Sequence, residues 1–299
     1  MSEKFILSCE STVDMPYSYV SGRNIPILFY SYSVDGEEYE DDMGKTPDGL
    51  KRFYGFIEQG KLPSTSQINV YRYTDFFEEL LKENDEILHI AFGSGMTPSV
   101  ANAVEAADAL RLKYPNKKIT VVDSTCSSSG YGLIVDYAAD MRDEGKTEEE
   151  IVEWLNANRR FVHHQFFSTD LKFFKRSGRV SGAAATVATI LGICPIMHLD
   201  YDGRIIAYDK VRGKTAAINR TVKEVLAHAK GGKNYNGKMF ISQSNCLEDA
   251  KRTAEAIEKE IPAIKGKIRI FDIGTIIASH SGPGTVAVYF MGDERTHDK

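Results

Sequence analysis

Cysteine is scarce in this 299-residue chain: Cys9, Cys126, Cys194 and Cys246 stand far apart, with no C-x-x-C pair. That spacing argues against a disulfide framework or a cysteine-based zinc site, and fits reduced thiols in the cytoplasm. Basic residues are not in excess either, since 37 Lys+Arg against 42 Asp+Glu leave a net charge of −5. The electrostatic footprint of a nucleic-acid or acidic-membrane binder is therefore missing. No apolar run is long enough to span a bilayer; the longest, about Val187 to Met197, falls well short. The opening Met1-Ser2-Glu3-Lys4 leads into a strand-like segment without a secretory pattern. Linkers, repeats and low-complexity tracts are lacking as well. What is present, 42% hydrophobic and 26% charged residues, suffices for a well-buried core and suggests two domains.

Periodicity predicts strands at Lys4 to Cys9, Ile25 to Tyr30, Glu86 to Phe92 and Ile119 to Asp123, and a polar hairpin over Ser31 to Asp41 turning at Asp35-Gly36. After Gly93-Ser94-Gly95-Met96, Thr97 as N-cap and Pro98 as first helical residue open a helix expected to bury Val100, Val104, Ala107 and Leu110. A helix follows Ser124 to Gly130 and ends near Gly145, and Thr147-x-x-Glu150 is a capping box for another running through Arg160. Strands alternating with helices imply a parallel, Rossmann-like sheet over residues 1–165. The pattern then changes: a strand over Val162 to Thr169, a basic loop Lys175-Arg176-Ser177-Gly178-Arg179, an Ala-rich helix from Ala183, and strands Pro195 to Leu199 and Arg204 to Val211 joined at Asp202-Gly203. With helices near Thr215 to Lys230 and Leu247 to Glu260 and three more strands, residues 166–299 read as a mixed α/β domain. The expected class is thus two-domain α/β, in which open sheets bind ligands at the carboxyl ends of their strands.

Candidate site residues cluster in loops. Ser8-Cys9-Glu10-Ser11-Thr12, Gly93-Ser94-Gly95, Ser124 to Ser129 and Pro63-Ser64-Thr65-Ser66-Gln67 supply more hydroxyls than helix capping requires. Such donors, without an Asp/Glu cluster, suit a carboxylate or phosphate and not a metal. Near the C-terminus, Ser279-His280-Ser281-Gly282-Pro283-Gly284 sets a titratable imidazole in a glycine-rich turn after an apolar run. Nucleotide motifs fail: Gly232-x-x-x-x-Gly237-Lys238 is followed by Met239 where a magnesium-binding hydroxyl is needed, and Gly93-x-Gly95-x-x-Pro98 lacks the third glycine. Cys126, at a helix N-terminus, is a conceivable nucleophile with His280.

Taken in order, Glu10-Ser11-Thr12-x-Asp14-x-Pro16, Thr65-Ser66-Gln67, Val122-Asp123-Ser124, Lys175-x-x-Gly178-Arg179-Val180-x-Gly182-Ala183-Ala184, Lys210-Val211-Arg212-Gly213 and His280-x-Gly282-Pro283-Gly284 resemble the DegV family of bacterial fatty-acid-binding proteins over essentially the whole chain. The resemblance implies two α/β domains enclosing a long-chain fatty acid, no cofactor and no catalysis. It implies that Thr65 and Ser94 hydrogen-bond the carboxylate and that His280 lines the head-group site. It also implies a partner fatty-acid kinase that makes the acyl phosphate for phospholipid synthesis, which Arg179 and Arg212 are placed to meet. Four departures stand out: Glu10 for the family's Asp, Ile68 for Pro after Thr-Ser-Gln, Ser177 for the first Gly of a pair, and Gly93 to Ser99 for a Ser-Ser-x-x-Ser-Gly-Thr pattern. The alternative reading is a phosphotransfer protein or enzyme with His280 as phosphoryl acceptor.

Overall fold

A computed structural model describes residues 5–169, 171–181 and 192–297. The expected Ala-rich helix from Ala183 and the Gly182-Ala183-Ala184 stretch lie outside the described residues. Strands are numbered in chain order. Four of them form a wholly parallel sheet in the order β2 (Ile27–Leu28), β1 (Ile6–Glu10), β6 (Glu86–Ala91), β7 (Lys118–Asp123), as the strand–helix alternation predicts. A small antiparallel sheet, β4 (Glu37–Glu40), β3 (Ser31–Val34), β5 (Ser64–Ser66), flanks it and sets Thr65 opposite Tyr32. The third sheet is mixed and seven-stranded: β13 (Arg269–Asp272), β12 (Met239–Gln243), β14 (Thr285–Met291), β8 (Val162–Ser168), β10 (Ile193–Leu199), β11 (Ile205–Arg212), β9 (Val180–Ser181). The hairpin at Asp202-Gly203 pairs β10 with β11 antiparallel. A division at 165/166 falls inside β8, while the chain passes between the two large sheets at Arg159–Phe161.

Strand alternation distributes the core. Phe166, Met197, Phe240 and Tyr289 point from one face of the seven-stranded sheet into a continuous cluster with Leu7, Ile87 and Ile134 of the N-terminal half. Their neighbours Phe167, Ile196, Ile241 and Phe290 point the other way, onto a second cluster with Ile218, Val225 and Ile257 of helices Lys214–His228 and Leu247–Glu260. These strands are buried on both faces, and β14 reads as a near-continuous apolar run, whereas β8 carries His163, His164 and Gln165 in its middle. One core therefore joins the halves, which fixes the walls of anything bound between them.

Local rules explain most termini. Thr147 accepts from the Glu150 amide while the Glu150 carboxylate accepts from the Thr147 amide, the capping box of helix Glu148–Asn158. Helix Ser99–Lys113 begins one residue after Pro98 and buries Ala103, Ala106, Ala107 and Leu110, leaving Val104 39% exposed. The expected face is rotated because small alanines let this helix lie against helix Val70–Leu81 and β7. Helices Gly49–Glu58 and Val70–Leu81 had no counterpart in the sequence reading. The second carries usable signals: Asn69 caps it by accepting from the Arg72 amide, and Tyr73, Phe77 and Leu81 share its buried face.

Candidate functional site

His280 does not sit in a turn. It ends a short helix, Thr275–Ser281, that starts from β13 and stops at Gly282 (φ +67°). A Cβ on Gly282 would come within 2.3 Å of the Phe173 ring, so both backbone conformation and space demand glycine there. Asp41 from the N-terminal half holds the start of this helix, its Oδ1 accepting from the Thr275 amide (3.1 Å) and hydroxyl (2.8 Å). At the other end, the Arg176 guanidinium donates to the Pro63 carbonyl (2.8 Å) and the Ser279 carbonyl (3.0 Å). Arg176 thereby ties the segment carrying Thr65 to the helix carrying His280, and Thr65 Oγ1 lies 2.8 Å from His280 Nε2. Burial, then the Arg179 and Arg176 charges, pushes His280 down to about 4. The imidazole is neutral at neutral pH, one ring nitrogen engaged by Thr65.

This pair opens into a cavity of about 300 Å³ between the halves. Its polar wall comprises Thr65, Ser66, Gln67, Thr97, Ser127, His280 and Ser281; Tyr30, Phe92, Met96, Phe174, Ile205, Ile276 and Ile277 form the rest, and Arg179 stands at the rim. Beyond Ser127, Phe174, Ile205, Ile277 and Ser281, shared by both spaces, lies a smaller chamber of about 40 Å³ walled by Ser128, His164, Phe166, Leu199, Ile273, Thr285, Ala287 and Tyr289. Hydroxyl and imidazole groups border both spaces, and aliphatic and aromatic side chains make up the remaining wall. Among the described residues, no carboxylate lines the main cavity. Such a site accepts an anion on neutral donors and an apolar body behind it.

The other expected residues fall in different places. The Ser94 hydroxyl is exposed and donates to Asp123 Oδ2 (2.6 Å), and Ser94 does not line the cavity; Thr97, three residues on, does. The close approach that Gly95 permits is to protein: a Cβ there would meet the Gly203 carbonyl at 2.4 Å, where the β10–β11 turn abuts this loop. Arg212 ends β11, whereas Arg179 precedes β9, which pairs with the start of β11 at Ile205. The two arginines are separated by seven strand residues, roughly 23 Å, and the structure does not bring them together. Cys126 is fully buried, with its thiol pushed up to about 12 by burial, so it is no activated nucleophile. Glu10 is a buried strut: one carboxylate oxygen accepts from the Phe92 amide (3.0 Å) and the other from the Tyr73 hydroxyl, while His89 Nε2 lies 3.3 Å away. It fixes the backbone on which Phe92 enters the cavity.

Ser127, Ile276, Ile277 and Ser281 belong to segments that the sequence marks as candidate ligand contacts, but with no individual role, and Ile205 carries no such mark. Ser127 was within reach, being in a flagged hydroxyl loop; its amide donates to His164 Nε2 (3.0 Å), which turns the loop toward the chamber. The aliphatic residues carry no motif, since apolar side chains that line a cavity have the same pattern as those that fill a core.

A second cavity, of about 450 Å³, lies beneath the start of the same helix. Its lining includes Asp14, Asp41, Asp42, Asp272 and Lys45. Burial pushes Asp41 up to about 6, and burial together with Asp41 pushes Asp14 well above the usual carboxylate range. Excess carboxylates at its wall disfavour an anion.

Residues 4–293 match the family model described as "Uncharacterised protein, DegV family". A DegV domain-containing protein of Clostridium perfringens is 35% identical over 98% of this chain and 99% of its own. Among solved structures, one titled for the fatty-acid binding of a DegV family protein from Thermus thermophilus has a TM-score of 0.82 at 25% identity, covering 97% of this chain and 99% of that one. A DegV family protein from Eubacterium eligens loaded with heptadecanoic acid has a TM-score of 0.83 at 21% identity, covering 97% and 100%, and shares the fold.

Proposed function

Because this chain belongs to the DegV family, we propose that it binds a long-chain fatty acid in the cavity between its halves, with the carboxylate at Thr65 and His280 and the tail running past Ile205 and Ile277 toward Phe166, Leu199 and Tyr289. The observation that carries the proposal is the Thr65–His280 pair (2.8 Å) in a cavity that continues past Ile205 and Ile277 to Phe166, Leu199 and Tyr289. Fatty-acid binding is also what is described for the DegV family protein of Thermus thermophilus. Burying about a dozen methylenes at roughly 0.8 kcal/mol each gives on the order of 10 kcal/mol of gross driving force before ordering costs. The tail supplies the affinity and the head-group pair the orientation.

Neutral donors steady a carboxylate without neutralising it, so an oxygen stays nucleophilic toward a phosphoryl donor. In this reading the protein is a carrier that presents the carboxyl group to a fatty-acid kinase, with Arg179 at the cavity rim meeting the incoming phosphate. Arg212, far along β11, would touch the partner at a separate place. Thr97 and Ser127, which line the cavity where Ser94 does not, are the further head-group donors. Phosphoryl transfer to His280 itself requires an open polar approach, whereas Thr65 occupies Nε2 and Ile276 and Ile277 flank the ring on its helix. The test is delipidation followed by fatty-acid titration of wild type and Thr65→Ala/His280→Asn. Wild-type affinity in the double variant would reject this head-group assignment.

A further inference from the structure

On the opposite face of β8 from the cavity, His163, His228 and Asp293 converge. Each offers one ligand atom, and these atoms all lie within 4.8 Å of one another. We propose that they form a binding site for a borderline divalent transition metal, with Zn²⁺ the natural candidate. Asp293 Oδ1 lies 2.8 Å from His163 Nε2 and 3.0 Å from His228 Nδ1. An ion bonded at about 2.0–2.1 Å to tetrahedral ligands holds those ligands roughly 3.3–3.5 Å apart, so binding would spread the two close pairs and would replace the contact of His163 Nε2 with the Asp293 carbonyl (3.0 Å). Two imidazoles and one carboxylate are a common protein donor set for zinc, with the remaining position left for water.

The site is built rather than casual. The His163 ring stacks on Phe290 (5.3 Å, 13°) and on His228 (4.9 Å, 20°), and joint ligation requires His228 to tilt out of that stack so that both in-plane lone pairs meet one ion. Gly292 permits the stacking: a Cβ there would meet His163 Cδ2 at 2.6 Å and the His228 carbonyl at 2.4 Å. The backbones carrying the ligands are pinned together, the Asp293 amide donating to the His228 carbonyl (3.1 Å) and the Gly292 amide to the Phe161 carbonyl (2.8 Å). Metal binding needs a lone pair on each facing nitrogen, so each proton must sit on the other ring nitrogen. On His228 that is Nε2, and Glu224 Oε2 lies 3.5 Å away, the outer carboxylate that orients a ligating imidazole. His163 is buried, while His228 and Asp293 have side chains 34% and 61% exposed, so an ion can enter from solvent.

Occupancy would clasp residues 291–295 onto helix Lys214–His228. Two residues after Asp293, the buried Arg295 donates to Thr125 Oγ1 (2.8 Å) and the Thr125 carbonyl (3.0 Å), in the loop that continues to Ser127 at the cavity wall. The metal would thus brace the C-terminal segment that ties the two halves together.

The experiment is Zn²⁺ titration of chelator-stripped full-length protein by calorimetry, with Co²⁺ as a spectroscopic probe. The expected result is one equivalent of Zn²⁺ per chain, a raised melting temperature and Co²⁺ bands of a low-coordinate nitrogen/oxygen site. His228→Gln and Asp293→Asn should each lose the site, and Glu224→Gln should weaken it about tenfold, while His297→Gln should bind as wild type. Should a variant fail to fold, the wild-type imidazole NMR signals of His163 and His228 shifting on Zn²⁺ addition provide the same evidence. No stoichiometric uptake, uptake that survives His228→Gln and Asp293→Asn, or imidazole shifts confined to other histidines would overturn the proposal.

Discussion

Two cavities flank the helix Thr275–Ser281, and the larger of them is the poorer lipid site. The cavity of about 450 Å³ at the helix start carries Asp14, Asp41, Asp42 and Asp272, whereas the cavity of about 300 Å³ at the helix end has hydroxyls, a neutral imidazole and an arginine at its rim. The difference teaches that charge, and not volume, decides which space takes a fatty-acid carboxylate. A carboxylate brought beside Asp14 and Asp41 faces groups already pushed toward their protonated forms by burial and by neighbouring carboxylates, Asp41 beside Asp14 and Asp42 beside Asp41. One brought beside Thr65 meets hydroxyls and a neutral imidazole, with no carboxylate among the described lining residues. The same helix serves both: Asp41 anchors its first turn and Arg176 its last, so the acid-lined cavity is read here as scaffold for the other.

The comparison breaks most directly at the tail wall. Ile277 borders both the main cavity and the inner chamber, and Ile277→Asp should abolish fatty-acid binding, a loss on the order of a hundredfold or more in a titration of delipidated protein, because an unpaired charge is costly in apolar surroundings. Circular dichroism should show the variant folded. Next in size, Thr65→Ala and His280→Asn should each weaken binding on the order of ten- to a hundredfold, matching about 1.5–3 kcal/mol for a hydrogen bond to a charged group. Asp41→Asn, on the other cavity, should leave affinity within about twofold, since Asn keeps the Oδ1 acceptor for Thr275.

Titration should separate the two cavities by sign. Asp41 has its native pKa raised to about 6, so its contribution to stability is full below the unfolded carboxylate range and is lost as pH rises through 6. His280 has its native pKa lowered to about 4, so its contribution is full above the unfolded imidazole value and is lost as pH falls from there through 4. Denaturant melts between pH 4 and 7 should therefore show Asp41→Asn gaining on wild type as pH rises, by roughly 1–3 kcal/mol at neutrality. His280→Asn should gain on wild type as pH falls. A parallel response in both variants would remove the contrast. The smallest expected effect is that of Ser94→Ala: with its hydroxyl on Asp123, fatty-acid affinity should change less than about twofold, and a tenfold loss would return Ser94 to the head-group site.

The parallel sheet, the hairpins at Asp35-Gly36 and Asp202-Gly203 and the capping box at Thr147 were legible because each is written in local residue types. Thr65 and His280 were legible as motif residues, though not their contact, which depends on Arg176 tying together segments more than a hundred residues apart. Ser94 misled for a related reason. A serine in a Gly-Ser-Gly loop after a strand looks the same whether its hydroxyl faces a ligand or, as here, a carboxylate on the next strand. The rotated face of helix Ser99–Lys113 has a packing cause: its alanines meet a neighbouring helix that no sequence reading had placed. The tail wall was hidden because Ile205, Ile276 and Ile277 belong by pattern to any strand or helix core.

The central claim is that the Thr65–His280 cavity holds a fatty acid, and the most direct measurement is native mass spectrometry of the purified protein with identification of the released organic-soluble material. The account predicts one long-chain fatty acid per chain in wild type, displaced by added fatty acid and absent from Ile277→Asp. An apo mass in wild type that also fails to take up added fatty acid, or a lipid retained undiminished by Ile277→Asp, would contradict it.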